Sequence, residues 1–143
     1  METAQQLCER LRERGFVITP QRRTIFEVLE RATHHPSAEQ IHEEVRQRLP
    51  EVSLATIYKT LKELVEQREI LELTFDRGIS RFDPKTHDHS HLRCDRCGHL
   101  EDVEEAVQCA LPAQHVTQFR VERTEVVFHG MCATCQQAEQ PSA

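Results

Sequence analysis

The chain has 143 residues, 38% hydrophobic and 29% charged, the size and balance of one ordinary domain or two small ones. No apolar run approaches the roughly 20 residues of a membrane span, and METAQQLCERLRERG carries no apolar stretch suited to a secretory signal. Membrane, secreted and collagen-like classes are therefore not expected, and a cytoplasmic location is. The net charge of −6 argues against a uniformly basic nucleic-acid coat, but six arginines face three glutamates in residues 10–31, and residues 53–62 hold Lys59 and Lys62 with no acid. Such local stretches permit one face to meet phosphate.

Residues 1–75 read as helices in quick succession. A first helix over residues 3–14 stops at Gly15. Thr19-Pro20 sets a capping hydroxyl before a proline at the first helical position, and Ile25, Val28 and Leu29 follow at helical spacing. Ser37-Ala38-Glu39-Gln40 is a capping-box pattern, with Ala38, Ile41, Val45 and Leu49 on one stripe until Pro50 closes it. Ser53 caps the next helix. Leu54, Ile57, Leu61, Leu64 and Val65 point inward, leaving Thr56, Tyr58, Lys59 and Lys62 on the other face. ILELTF (70–75), a turn at Asp76-Arg77-Gly78 and ISRFD (79–83) form a hairpin. Helices followed by a hairpin make a winged helix-turn-helix.

Composition changes at residue 84, where Pro84-Lys85-Thr86 is a hinge candidate. Residues 103–116 are expected to form a helix interrupted near Pro112, and Phe119 to Phe128 a strand, with residues 136–143 frayed. This second unit is small enough to require a staple.

The staple is legible in the cysteines. Cys94-x-x-Cys97 and Cys132-x-x-Cys135 are separated by 34 residues, and two such pairs complete a closed four-sulfur zinc site. A thioredoxin-like redox pair is the rival, but it requires a C-x-x-C that opens a helix after a strand, and Cys94-Asp95-Arg96-Cys97-Gly98 reads as a turn. Cys8 and Cys109 read as ordinary small hydrophobes. A second group gathers His87, Asp88, His89 and His91, with Asp83 just before, Asp102 just after and His35 far upstream. His89 and His91 alternate, so a strand would point both to one face. Imidazole with carboxylate suits iron, manganese or zinc; the alternative is a solvated polar loop.

ITPQR (18–22), HHPSAEQI (34–41), SLATIYKTL (53–61), SRFD (80–83), HDHSHLRCDRCG (87–98) and the closing C-x-x-C together resemble the ferric uptake regulator family, from about residue 10 to residue 135. The resemblance implies an α+β protein: a winged-helix DNA-binding domain over 1–84 and a small α/β metal-binding dimerisation domain over 85–143. It implies a metal-dependent homodimeric repressor of double-stranded, palindromic operator DNA, not an enzyme. Structural zinc falls on Cys94, Cys97, Cys132 and Cys135, and regulatory Fe2+ or Mn2+ on His35, Asp83, His89, His91 and Asp102. Asp83 and Asp102 resemble the peroxide-responsive branch, in which His35 and His89 would be the oxidation-sensitive ligands. Two departures stand out. The HHDH-like stretch of a third metal site reads Asp88-His89-Ser90-His91, and Val17 stands where family members often carry Lys or Arg.

From the residues, the helix beginning at Ser53 is expected in the major groove, with Thr56 and Tyr58 at bases and Arg22, Lys59 and Lys62 on phosphate. A metal held by all five regulatory ligands would fix the angle between the domains. The alternatives are an iron-, manganese- or zinc-responsive uptake regulator without peroxide sensing, a zinc enzyme, or a winged-helix scaffold for protein contacts. The H-x-E and P-C-x-x-C pattern of the zinc deaminases is missing.

Overall fold

Four helices open the chain, and each begins where a hydroxyl can cap it: α1 (Ala4–Glu13), α2 (Pro20–Arg31), α3 (Ala38–Arg48) and α4 (Leu54–Glu66). The side chains of Thr3, Thr19, Ser37 and Ser53 each accept a hydrogen bond from the backbone N–H three residues on, satisfying one donor that the first helical turn leaves open. Thr3 and Ser37 complete capping boxes with Gln6 and Gln40. Helix α1 ends at Gly15, whose φ of +89° lets its N–H reach Arg12 O at 2.9 Å and the N–H of Phe16 reach Leu11 O at 3.0 Å. That is a Schellman closure, which favours a residue without Cβ. The α4 terminus makes the same turn without glycine, at Arg68 with φ +59°.

In this computed structural model residues 3–33, 35–74, 79–84, 89–105 and 107–139 are described. The chain divides into two compact units, Met1–Thr86 and His87–Ala143. The expected turn at 76–78, Lys85 and Thr86 of the hinge candidate, and His87 and Asp88 lie outside the described residues.

In the first unit the helical stripes meet in one core. Leu11, Phe26, Leu29, Ile41, Ile57 and Leu61 are all at most 2% exposed. Strands β1 (Leu71–Thr74) and β2 (Ser80–Asp83) pair antiparallel with Leu71 opposite Asp83 and Thr74 opposite Ser80, forming the wing. The loop before α3 adds to its edge: the N–H of Phe82 donates to Pro36 O at 2.9 Å, and Ser37 bridges Arg81.

The second unit is a three-stranded sheet in the order β4-β3-β5, from β3 (Ser90–Cys94), β4 (Leu100–Val103) and β5 (Val127–Gly130). β4 runs antiparallel to β3 and β5 parallel to it. Helix is confined here to α5 (Ala113–Val116) and α6 (Ala133–Glu139) among the described residues.

Three expectations are corrected. The helix over 103–116 shrinks to the single turn after Pro112, because Val107, Leu111 and Val116 are 40–58% exposed and a short helix without a buried face does not hold itself together in water. The strand over 119–128 shrinks to Val127–Gly130, the part with β3 beside it; Phe119 and Val121 have no ladder and stand 67% and 46% exposed. Of the residues 136–143 expected to be frayed, 136–139 are helical, since the N–H of Gln136 bonds Cys132 O at 3.0 Å and Arg96 pairs with Glu139 at 3.0 Å; residues 140–143 lie outside the described residues.

Leu61 is fully buried on α4, so Leu61→Ala should cost about 2–5 kcal/mol. Urea unfolding would read this as a lower midpoint at unchanged slope.

Candidate metal centres

The end of β3 runs into the first C-x-x-C, where Cys94, Asp95, Arg96 and Cys97 turn sharply. Gly98, at φ +78°, closes the turn with its N–H on Cys94 O at 2.9 Å. The second C-x-x-C begins two residues past β5, and Cys135 sits in α6. Because β5 lies beside β3, the N–H of Asp95 reaches Gly130 O at 2.9 Å, and this bond draws the two motifs together.

All four sulfurs lie within 4.8 Å of one another. Cys94 Sγ stands 3.8 Å from Cys135 Sγ, and Cys97 Sγ 3.8 Å from Cys132 Sγ. Thiolates about 2.3 Å from one zinc form a tetrahedron with edges of about 3.8 Å, so the residues fit that ion. A disulfide would need about 2.05 Å. The strand-then-helix setting required for a redox pair does occur, at Cys132 rather than Cys94. The arrival of Cys94 and Cys97 beside it decides for metal.

The protonation tendencies agree. Backbone N–H groups of Cys132, Cys97 and Arg96 aim at Cys94 and lower its thiol to about 6. Cys135 is pushed up to about 12, chiefly by the sulfur of Cys132 and by burial. The Cys94 thiolate forms readily, while the sulfur of Cys132 and burial keep the proton on Cys135. A divalent cation removes that conflict and displaces the remaining protons.

Oxygen and nitrogen donors form two further sets, one in each unit. In the first, the Pro36–Phe82 pairing sets His35 beside the end of the wing, and His35 Nε2 lies 3.1 Å from Asp83 Oδ2. Both side chains are nearly inaccessible, at 6% and 2%. In the second, His91 on β3 sits directly opposite Asp102 on β4. His91 Nε2 and His89 Nε2 approach the same oxygen, Asp102 Oδ1, at 3.3 and 3.5 Å. The two rings are 4.6 Å apart, tilted by 60°. Donors about 2.1 Å from a shared ion stand roughly 3.0–3.4 Å from each other, so both sets have the spacing of metal ligands. The mixture suits Fe2+, Mn2+ or Zn2+.

The chain matches the ferric uptake regulator family over residues 13–129. The peroxide operon regulator of Bacillus subtilis is 36% identical over 139 residues, 94% of either chain.

The chain belongs to the ferric uptake regulator family.

The peroxide-responsive repressor PerR of Staphylococcus epidermidis is likewise 36% identical, over 89% of this chain and 86% of its own. Among solved structures, the ferric uptake regulator of Helicobacter pylori superposes with a TM-score of 0.76 at 25% identity, covering 97% of both chains. PerR from Streptococcus pyogenes gives 0.56 at 29% identity, covering 95% of both. Membership in the ferric uptake regulator family makes the chain a metal-dependent transcriptional repressor, of a kind that binds DNA as a dimer.

The expected DNA-facing residues lie on α2 and α4. Lys59 and Lys62 are exposed and Thr56 half-exposed. Tyr58 is 45% exposed, but its hydroxyl donates to Glu39 Oε1 at 2.6 Å. Arg22 is engaged within the unit, donating to Glu63 Oε2 and to Val17 O, both at 2.7 Å. Glu39 and Glu63 are residues the sequence reading missed. Each lies in another helix from its partner, at separations that no periodicity marks. No helix among the described residues is long and apolar enough to cross a membrane.

Cys94→Ser should lower zinc from about one ion per chain to near zero, as measured by mass spectrometry under native conditions. The wild type should release zinc as pH falls, because protons compete for the same sulfurs.

Proposed function

We propose that His35, Asp83, His89, His91 and Asp102 hold a single divalent ion, and that this ion switches a homodimer into its operator-binding form. The observation that carries the reading is that each unit offers a nearly buried donor set with ligand spacing: His35 with Asp83 at 3.1 Å, and His89 and His91 converging on Asp102 at 3.3–3.5 Å. His35 with Asp83 offers two donors, and His89 and His91 with Asp102 offer three. Together they supply three imidazoles and two carboxylates.

Residues 1–84 act as the DNA-binding domain and 85–143 as the dimerisation domain, with zinc on the four cysteines as the staple of the latter. An ion shared between the donor sets fixes the angle of one domain to the other. In a symmetric dimer that angle sets the distance between the two copies of α4, and reading a palindromic operator requires about 34 Å between them. DNA must tighten metal binding by the same factor that metal tightens DNA binding. Thr56 and Tyr58 read bases while Lys59 and Lys62 meet phosphate; Arg22 joins them by exchanging Glu63 for a phosphate oxygen. The chain works in the cytoplasm and turns over no substrate.

A ferrous ion held by these residues would supply reductive cleavage of the O–O bond of hydrogen peroxide next to its own ligands. His35 and His89 would be the rings that take one oxygen atom from peroxide, a two-electron oxidation that releases the other oxygen as water. An oxidised imidazole is a poor donor, so either ring once oxidised would hold the ion weakly and the operator-binding form would be lost. Manganese in the same place leaves a repressor indifferent to peroxide.

Peroxide treatment of the Fe2+ form should add 16 mass units to peptides holding His35 or His89 and abolish operator binding, with the Mn2+ form unchanged. Metal-dependent binding that survives peroxide in both forms would instead select a metal-uptake regulator. Lys59→Ala should weaken binding to all duplexes and lower the slope of log K against log salt by about one; an unchanged slope would remove Lys59 from the interface.

A further inference from the structure

Glu39 and Tyr58 make a polar contact at the exposed edge where α3 packs on α4. Tyr58 is 45% exposed, one residue before Lys59 and one turn before Lys62 on α4. Its hydroxyl gives its hydrogen to Glu39 Oε1 at 2.6 Å, the length of a bond to a charged carboxylate. Glu39 is the second residue of α3, where the helix dipole favours negative charge. The bond from Tyr58 holds the Glu39 carboxyl below its ordinary range, and the same bond pushes the phenol up. The proton stays on Tyr58, directed at Glu39.

A phenol has a single hydrogen to donate. Once it is committed, the oxygen offers only lone pairs outward, and the carboxylate next to it is an acceptor throughout. The lysines beside the pair can neutralise phosphate; the pair itself repels it. In the major groove guanine displays the acceptors O6 and N7, while adenine and cytosine display the amines N6 and N4.

We propose that Glu39 and Tyr58 form a base-selecting pair, which accepts an exocyclic amine of adenine or cytosine at one position in each half-site and rejects guanine there. This rests on α4 lying in the major groove, as proposed above, and it adds a residue of α3 to those that read the operator. Tyr58 is more than a ring set against a thymine methyl; its hydroxyl has a fixed polarity imposed by Glu39.

The test is selection from a randomised duplex library by the full-length, Mn2+-loaded protein, run for the wild type, Glu39→Gln and Tyr58→Phe. Wild type should deplete guanine at one position per half-site, and a duplex carrying guanine there should bind about 10-fold more weakly. Glu39→Gln keeps an acceptor for Tyr58 but gains a donating amide, so guanine should become tolerated at that position and no other. Tyr58→Phe should lose part of the same discrimination. Guanine depletion identical in wild type and Glu39→Gln would overturn the inference, as would a uniform gain of Glu39→Gln on every duplex, which would mean only relief of phosphate repulsion. A wild type that enriches no sequence would instead refute the DNA-binding reading on which the inference stands.

Discussion

Four cysteine sulfurs within 4.8 Å of one another are a source of repulsion until a cation stands among them. As thiolates they cannot share that volume in an unfilled protein; as ligands of one zinc they tie the end of β3 and the turn after it to the start of α6. The unit over residues 87–143 needs that cross-link. Among its described residues Leu100 is the one buried aliphatic side chain, accompanied by Cys94 and Cys135, whereas the unit over residues 1–86 closes on a core contributed by four helices. A sheet of strands four or five residues long with so little apolar burial has few other means of holding its register.

Register in turn sets the ligand geometry of the nitrogen and oxygen donors. His91 faces Asp102 because β3 and β4 pair with those residues opposite, and a slip of one residue would turn every side chain of β3 to the other face. His35 reaches Asp83 because the loop before α3 bonds to the wing through Pro36 and Phe82. Backbone hydrogen bonds thus decide side-chain distances at both donor sets. A repressor that answers to a metal ion depends on ligands whose spacing exists before the ion arrives, since disordered donors would add an ordering cost to each binding event.

The first unit was largely legible because its signals are local. Thr3, Thr19, Ser37 and Ser53 cap the helices that the apolar stripes describe, and Gly15 closes the first of them. The paired cysteines were equally plain, as a spacing of two residues is enough to bite one metal. Residues 103–128 were misread for the converse reason. Val107, Val116, Phe119 and Val121 have the composition of helix or strand, but nothing among the described residues covers them, and periodicity reports what a segment would do if it were covered.

The amino-acid order by itself determined the helix starts, the wing, the sulfur ligands and the family, because each rests on residues within a few positions of one another or on motifs in sequence. Tertiary structure alone decided which carboxylate oxygen meets which side chain, and at what distance. Tyr58 with Glu39, Arg22 with Glu63 and the two histidines on one oxygen of Asp102 are contacts between separate elements. Their distances follow from how helices pack and strands pair, and no linear pattern encodes an ångström.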